Sequence, residues 1–303
     1  MRTLPIVINP AARGGRRGPP KARLERVAAE HGWRLEWWAT EAPGHATELA
    51  ARAARDRFPA VVLWGGDGTY NEAARGLIGS ETALIALPGG TTSVLAYELG
   101  IVHDPVRALA QQLGGERRAM AVGRTDSGQL FLLMLSAGPD AVILANLPAR
   151  LKQRAGRLGI TAQAAVELVR GNLPRFSVIV DGVSLDASWC IAGNGRSYGG
   201  PFAATPGADP FATGLEVVTL SRHGRNAVVP FFFSIPSGRH IRLRGVDRRP
   251  ATEVRLVGEG IPYQLDGDPA GFLPVTARAS DERVWVFVPR AVRAPGSLPE
   301  KRA

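Results

Sequence analysis

Short apolar runs and amphipathic stretches alternate through the first third of the chain. Leu4–Ile8, Leu35–Ala39, Ala60–Trp64 and Ala83–Leu87 read as strands. Between the first two, Lys21–His31 repeats Leu24, Val27 and Ala28 at helical spacing and stops at Gly32. Thr47–Arg57, Asn71–Ile78 and Thr92–Leu99 predict three more helices. This alternation predicts a parallel sheet with helices on its faces. In such sheets the ligand sits beyond the carboxyl ends of the strands. Glycine-rich turns at residues 9–18, 65–69 and 88–92 each follow a predicted strand end, so they are expected to converge on one crevice.

Beyond residue 118 the pattern changes. Leu130–Leu135, Phe176–Asp181, Ser188–Ala192, Leu215–Leu220, Val254–Gly258, Tyr263–Leu265 and Val284–Val288 are short β-like segments. Asp181-Gly182, Asn194-Gly195 and Asp266-Gly267 supply turn signals between them. An antiparallel sandwich follows, interrupted by one helix near residues 159–170. The expected fold is α/β: an N-terminal parallel-sheet domain over residues 1–117, a C-terminal β-sandwich domain over 118–289, and a cleft between them. Residues 290–303 read as a tail that can pack back on the first domain.

Composition narrows the class. A chain of 303 residues suits two domains, and 45% apolar content is ordinary for a folded protein. The formal net charge of +10 favours anionic partners without naming one. The single cysteine, Cys190, excludes an internal disulfide and a thiolate metal cluster, and reads as a core residue. The longest apolar stretch, Leu130–Leu147, carries Gly138, Pro139 and Asp140 at its centre, which argues against a spanning helix. No leader peptide is visible, and a cytoplasmic location is expected. The histidines lack metal-ligand spacing, although His45 is expected near the nucleotide site.

The most informative segment is Val61-Val62-Leu63-Trp64-Gly65-Gly66-Asp67-Gly68-Thr69-Tyr70-Asn71-Glu72. A buried strand turns through glycines into a helix, so backbone amides at the helix start can approach a phosphate. Asp67 is an acid among donors, suited to a hydrated magnesium ion bridging phosphates. No Gly-Lys-Ser/Thr follows the glycines, so this is not a P-loop, and the dinucleotide spacing is missing at the first strand.

Gly65-Gly66-Asp67-Gly68-Thr69 with Asn71-Glu72 resembles the signature of the diacylglycerol kinase catalytic-domain family, which includes bacterial lipid kinases, sphingosine kinases and ceramide kinases. Asn9-Pro10 with its Gly/Arg loop, Thr40 with Pro43-Gly44-His45-Ala46, and Pro88-Gly89-Gly90-Thr91-Thr92 resemble further nucleotide segments. Asn194-Gly195 with Tyr198-Gly199-Gly200, and Leu265-Asp266-Gly267-Asp268, resemble motifs of the second domain. The resemblance implies ATP and Mg2+ as cofactors and a membrane lipid as acceptor. It implies nucleotide contacts from Asn9, Arg13, Thr40, Gly65, Gly66, Gly68, Thr69, Asn71, Glu72, Gly90, Thr91 and Thr92. Asp67 is expected as the metal-linked catalytic acid, Asp268 as the base, and Asp140 near the acceptor hydroxyl.

The match departs from the family at its acids. Ser93-Val94 stand where many members carry Asn-Asp, Ala121 replaces an Asp, and Asp268 replaces a Glu. At Ala212–Glu216 related enzymes carry Asp-Gly-x-x-Asp around a structural magnesium; Thr213 and Glu216 stand there instead, leaving Asp209, and no regulatory metal is expected. An active kinase with an altered acid network is the favoured reading. The alternatives are a catalytically weak nucleotide- or lipid-binding regulator and an NAD kinase, whose family shares Gly-Gly-Asp-Gly-Thr. Nucleic acid is not expected as a partner. Phe231-Phe232-Phe233 reads either as a core helix face or as a surface for lipid, and Arg13, Arg16, Arg17 and the basic C-terminal residues either as solvated or as contacts to an anionic membrane. Peripheral association with an anionic membrane surface is expected, and a homodimer is compatible with the sequence.

Overall fold

The structure is a computed structural model that describes residues 2–10, 18–89, 93–146 and 174–290. Arg13, Gly90, Thr91 and Thr92, the helix expected near residues 159–170, and the tail from residue 291 lie outside the described residues.

The expected β-α alternation is present. Strand β1 (Arg2–Ile8) leads to α1 (Lys21–Glu30), β2 (Trp33–Ala39), α2 (His45–Arg55), β3 (Ala60–Gly65), α3 (Asp67–Leu77), β4 (Ala83–Pro88) and α4 (Val94–Glu98). These four strands are parallel, in the order β2-β1-β3-β4. Their apolar runs form the sheet centre: every residue of β3 and β4 is buried. Helix α3 begins at Asp67 rather than Asn71, so most of the glycine-rich turn is the first helical turn. It packs tightly on α2, since a Cβ on Gly76 would lie 2.3 Å from the Thr47 carbonyl oxygen.

Then come α5 (Pro105–Leu113), β5 (Glu116–Thr125), β6 (Leu130–Phe131), β7 (Met134–Ala137) and α6 (Pro139–Ala145). Strands β8 (Phe176–Val180), β9 (Val183–Ala187), β10 (Trp189–Gly193), β11 (Ser197–Tyr198), β12 (Phe202–Ala203) and β13 (Leu215–Leu220) precede α7 (Arg225–Ser234). Strands β14 (Val246–Ala251), β15 (Glu253–Val257), β16 (Pro262–Leu265), β17 (Asp268–Phe272) and β18 (Val275–Val288) complete the described chain.

The second sheet runs β14-β13-β10-β7-β16-β17 and is antiparallel. It faces the β18-β15-β8-β9 part of the first sheet across a core of Phe131, Leu135, Val178, Cys190, Val217 and Leu256. The apolar run from Leu130 is two strands, not one. At the break, backbone amides bond a carboxylate instead of a neighbouring strand.

Strand β18 joins the two halves. Its first part pairs antiparallel with β15, and its last part pairs parallel with β4 at Val286 beside Leu84. Strand β5 runs antiparallel beside β18 through both parts. Only the last five residues of β18 were expected as a strand. Its middle, Ser280-Asp281-Glu282-Arg283, is polar and hides the continuity; here the ladder shifts register, between Ala279 and Arg283.

Candidate active site

Parallel register brings four strand ends to one edge. Ile8 lies beside Ala39 and Trp64, and Gly65 lies beside Pro88. The residues that follow, Asn9, Thr40, Gly66 and Gly89, therefore line the carboxyl edge. Backbone bonds tie them: Thr40 N–H to the Ile8 carbonyl at 2.9 Å and Gly89 N–H to the Gly65 carbonyl at 2.8 Å. The Asn9 side-chain amide donates to Thr69 Oγ1 at 3.2 Å.

The glycines here have different jobs. A Cβ on Gly65 would lie 2.7 Å from Thr69 Oγ1, and one on Gly89 would lie 3.1 Å from the Gly65 nitrogen. Packing requires glycine at 65 and is tight around Gly89. Gly66 has φ −111°, and no described atom lies within 4 Å of where its Cβ would be. The described fold does not require glycine there. Gly66 is the N-cap of α3, and no side chain caps that helix. The Thr69 amide bonds the Gly66 carbonyl at 3.0 Å, and the bare backbone leaves the amides before it open to an anion.

Asp67, the first residue of α3, turns its carboxylate toward α4. Its Oδ2 accepts the Val94 amide and its Oδ1 the Leu95 amide, each at 3.0 Å. Burial pushes this carboxyl up to about 6; the Leu95 and Val94 amides pull it down, and Asp266 and Asp268 push it further up.

Asp266 sits in the left-handed region at φ 51° and starts the turn before β17. Its carboxylate accepts amides from Leu132 at 2.6 Å, Leu133 at 2.8 Å and Met134 at 2.9 Å. It also accepts the Asn71 side-chain amide at 2.8 Å, while Asn71 donates to the Leu130 carbonyl at 3.3 Å. Asn71 therefore binds the second sheet to α3. Burial pushes the Asp266 carboxyl up, opposed by those four donors. The sequence marks Asp266 as a turn signal and as part of the Leu265–Asp268 motif, but nothing in it announces the amides that its carboxylate gathers. Asp268 is exposed, and its Oδ2 lies 3.7 Å from the Cβ position of Gly68. The structure thus brings Asp67, Gly68 and Asp268 together from opposite ends of the chain.

Two further buried groups lock this arrangement. Asn194 donates to the Ala121 carbonyl at 2.9 Å and the Leu132 carbonyl at 2.7 Å. Glu98 of α4 accepts the Ser197 amide at 2.7 Å, with Arg196 Nε 3.8 Å from its other oxygen. Helix α4 is thus anchored by Asp67 at its start and through Glu98 at its end. Glu98 lies in the predicted helix Thr92–Leu99, where its spacing gives no sign of this role.

Asp140 lies buried on α6. Its Oδ2 accepts Tyr198 Oη at 3.1 Å and lies 3.5 Å from Gln264 Nε2. Gln264 also accepts the Gly267 amide at 2.7 Å, so it connects the Asp266–Asp268 turn to Asp140. Burial pushes the Asp140 carboxyl up; bonds from Ser136, the Ala141 amide, Tyr198 and Gln264 pull it down.

Glu72 lies on α3, where its backbone carbonyl accepts Thr47 Oγ1 at 2.7 Å. His45 starts α2 and accepts the Glu41 amide on Nδ1 at 3.1 Å. At the expected metal-poor segment, a cavity of about 490 Å³ is lined by Asp209, Thr213, Glu216 and Arg248. Glu216 there accepts the Gly207 amide at 2.6 Å and pairs with the Arg248 guanidinium. The cavity lies on the β13–β14 side. Among the described residues no three His, Cys, Asp or Glu side chains gather as a metal cluster. Magnesium needs only one or two carboxylates with phosphate and water. Asp268 and the remaining lone pairs of Asp67 fit that requirement; Asp266, with four donors, does not.

A parallel sheet with a bare glycine turn at its carboxyl edge, faced by an acidic turn from an antiparallel sandwich, defines a two-sheet α/β protein. A family model for the diacylglycerol kinase catalytic domain matches residues 3–125, and one for the YegS C-terminal NAD kinase beta sandwich-like domain matches residues 134–293. The chain belongs to the diacylglycerol kinase catalytic-domain family. It is 29% identical over 255 residues to a diacylglycerol kinase of Mycobacterium tuberculosis, covering 81% of this chain and 82% of the relative. It is 30% identical over 247 residues to a Pseudomonas putida protein named "Probable lipid kinase YegS-like", covering 79% and 80%. A crystal structure of a diacylglycerol kinase from Bacillus anthracis superposes with TM-score 0.70 at 16% identity, covering 95% and 96%, a likeness of fold.

Proposed function

We propose that this chain is an ATP-dependent lipid kinase that transfers the γ-phosphoryl group to a hydroxyl of a membrane lipid, either diacylglycerol or a ceramide- or sphingoid-type acceptor. The observation that carries this reading is Gly66: a glycine the described fold does not require, at an uncapped helix start, two residues before the Gly68 that Asp268 approaches. The names of the relatives supply the lipid.

In this reading the α3 amides and Gly66 hold the nucleotide phosphates. Asn9 keeps Thr69 oriented, and Asp67 fixes the α4 turn beside them. Asp268 accepts the proton of the lipid hydroxyl, directly at about 3 Å or through one water. The hydroxyl oxygen forms a bond to the γ-phosphorus as the bond to ADP breaks. A magnesium ion held by Asp67 and Asp268 would neutralise phosphate charge. Positioning and charge stabilisation carry most of phosphoryl transfer. Asp140, with Tyr198 and Gln264 around it, is our candidate for recognising the acceptor head. We further propose a cytoplasmic protein that meets the bilayer from one side. This agrees with the lack, among the described residues, of a helix long and apolar enough to cross a membrane.

The test is transfer from radiolabelled ATP to total membrane lipids with Mg2+, the product identified by mass. A phosphorylated lipid supports the reading. Transfer to NAD with none to lipid, or ATP binding without transfer to any lipid, overturns it.

A further inference from the structure

Helix α7 carries three consecutive phenylalanines with different fates. Phe231 is fully buried, 5.1 Å between ring centroids from Trp189. Phe232 stacks on the outside of Trp189 at 6.0 Å and 12° and is 38% exposed, and Phe233 is 69% exposed. The inner face of the helix is Ala227, Val228 and Phe231. At helical spacing, Arg225, Val229, Phe232 and Phe233 share the opposite face. Phe202 of β12, 36% exposed, belongs to the strand that packs on the Ile235–Ser237 turn following α7. Exposed aromatic rings gathered in one place are uncommon on a solvated surface.

The chain segment that contains the helix carries charge of one sign, although Asp186 and Glu216 of neighbouring strands act on His223 and His240. From Val217 to Val246 the chain has five arginines and no acidic residue. Those arginines, Arg222, Arg225, Arg239, Arg242 and Arg244, are all exposed. The turn that carries Arg239 and Arg242 is held in place: His240 is buried, edge-on to Phe231 at 5.6 Å, with Nε2 2.9 Å from the Ala204 carbonyl oxygen. Exposed aromatic rings beside arginines on a short, largely apolar helix and the turn after it match the interfacial region of an anionic bilayer.

The position also suits delivery of a lipid. Trp189 Nε1 donates to Ser136 Oγ at 3.3 Å, and a Cβ on Gly138 would lie 2.6 Å from the indole. Gly138 is the N-cap of the helix that carries Asp140. One indole therefore separates the exposed phenylalanines from the neighbourhood of Asp140.

We propose that the outer face of α7 and the following turn form the docking surface for an anionic membrane, with Phe232 and Phe233 entering the interface and Arg225, Arg239 and Arg242 contacting lipid head groups. This inference rests on the lipid-kinase reading for its purpose, but not for its test.

The test is co-sedimentation of the full chain with vesicles of phosphatidylcholine alone and of phosphatidylcholine with about one third phosphatidylglycerol, without ATP. The wild type is expected to bind the anionic vesicles and to be released by salt. Phe233→Ser, and independently Arg239→Glu with Arg242→Glu, are expected to weaken binding at least about tenfold. Unchanged melting temperature and circular dichroism show that the variants fold. If Phe233→Ser does not fold, the charge reversal alone decides. Unchanged binding by folded variants, equal binding to neutral vesicles, or no binding by the wild type would overturn the proposal. So would a wild-type dimer that Phe233→Ser converts to monomer, because a second copy then covers the patch. Vesicle binding needs no phosphoryl transfer, so a failed kinase assay and a failed docking surface give separate results.

Discussion

Asn71 donates its side-chain amide to the Asp266 carboxylate at 2.8 Å, joining α3 to the turn before β17 across 195 positions of sequence. The same carboxylate gathers three successive backbone amides. One acid therefore sets both the break between β6 and β7 and the approach of the acidic turn to the glycine turn.

Removing that acid strands three buried amides. Asp266→Ala is expected to cost about 3 kcal/mol, since bonds to a charged acceptor are stronger than neutral ones and unpaired buried donors are costly. Asp266→Asn should retain part of the stability, because one oxygen still accepts. Urea denaturation of both variants measures this; equal stability of Asp266→Ala and wild type would show that the network contributes little.

Gly65 and Gly66 separate packing from ligand binding. Gly65→Ala forces a Cβ to 2.7 Å from Thr69 Oγ1 and is expected to cost about 2 kcal/mol. Gly66→Ala meets no described atom and is expected to leave the melting temperature nearly unchanged while lowering ATP affinity at least about tenfold, by crowding the phosphates. Calorimetric titration with ATP checks this, and undiminished affinity in Gly66→Ala would place the phosphates elsewhere.

Asp268→Asn is expected to lower turnover about a hundredfold with little change in KM for ATP, the pattern of a lost general base. The opposite pattern, a raised KM with turnover kept, would make Asp268 a nucleotide contact.

Asp67 gives the free protein a definite pH dependence. Its folded pKa of about 6 lies above the ordinary value of 3.8. Between those values the folded chain holds a proton that the unfolded chain has released. Its contribution to stability therefore falls as pH rises from about 4 to about 6, then levels off. Asp67→Asn removes that slope, so the stability difference between wild type and variant should decline through this window without nucleotide. Denaturation curves at several pH values test it; parallel profiles would mean that Asp67 does not titrate there. The same variant should lose phosphoryl transfer.

The parallel half was legible because its signals are local. Ala60–Gly65 and Ala83–Pro88 are buried throughout and leave unbroken apolar runs, and the glycine turn lies next to its strand. The acidic network was less legible because its partners are distant and mostly backbone. Nothing in Leu132-Leu133-Met134 announces that these amides turn to Asp266. Glu98 and Asn194 look polar and ordinary until Ser197, Ala121 and Leu132 are brought against them. Strand β14 was missed because its alternation, Val246-Asp247-Arg248-Arg249-Pro250-Ala251, is mostly polar, as an edge strand of the second sheet allows.

The pairing of β18 with β4 bears on the order in which the protein is made. Until residue 286 is available, β4 has an open side filled by buried Leu84, Ile85 and Ala86, a template for misplaced strands. A ribosome finishes the first four strands long before the strand that covers them. We expect a fragment of residues 1–117 to aggregate, and co-expressed 118–290 to rescue it. A soluble fragment that melts cooperatively by itself would show that the nascent first half can wait unaided.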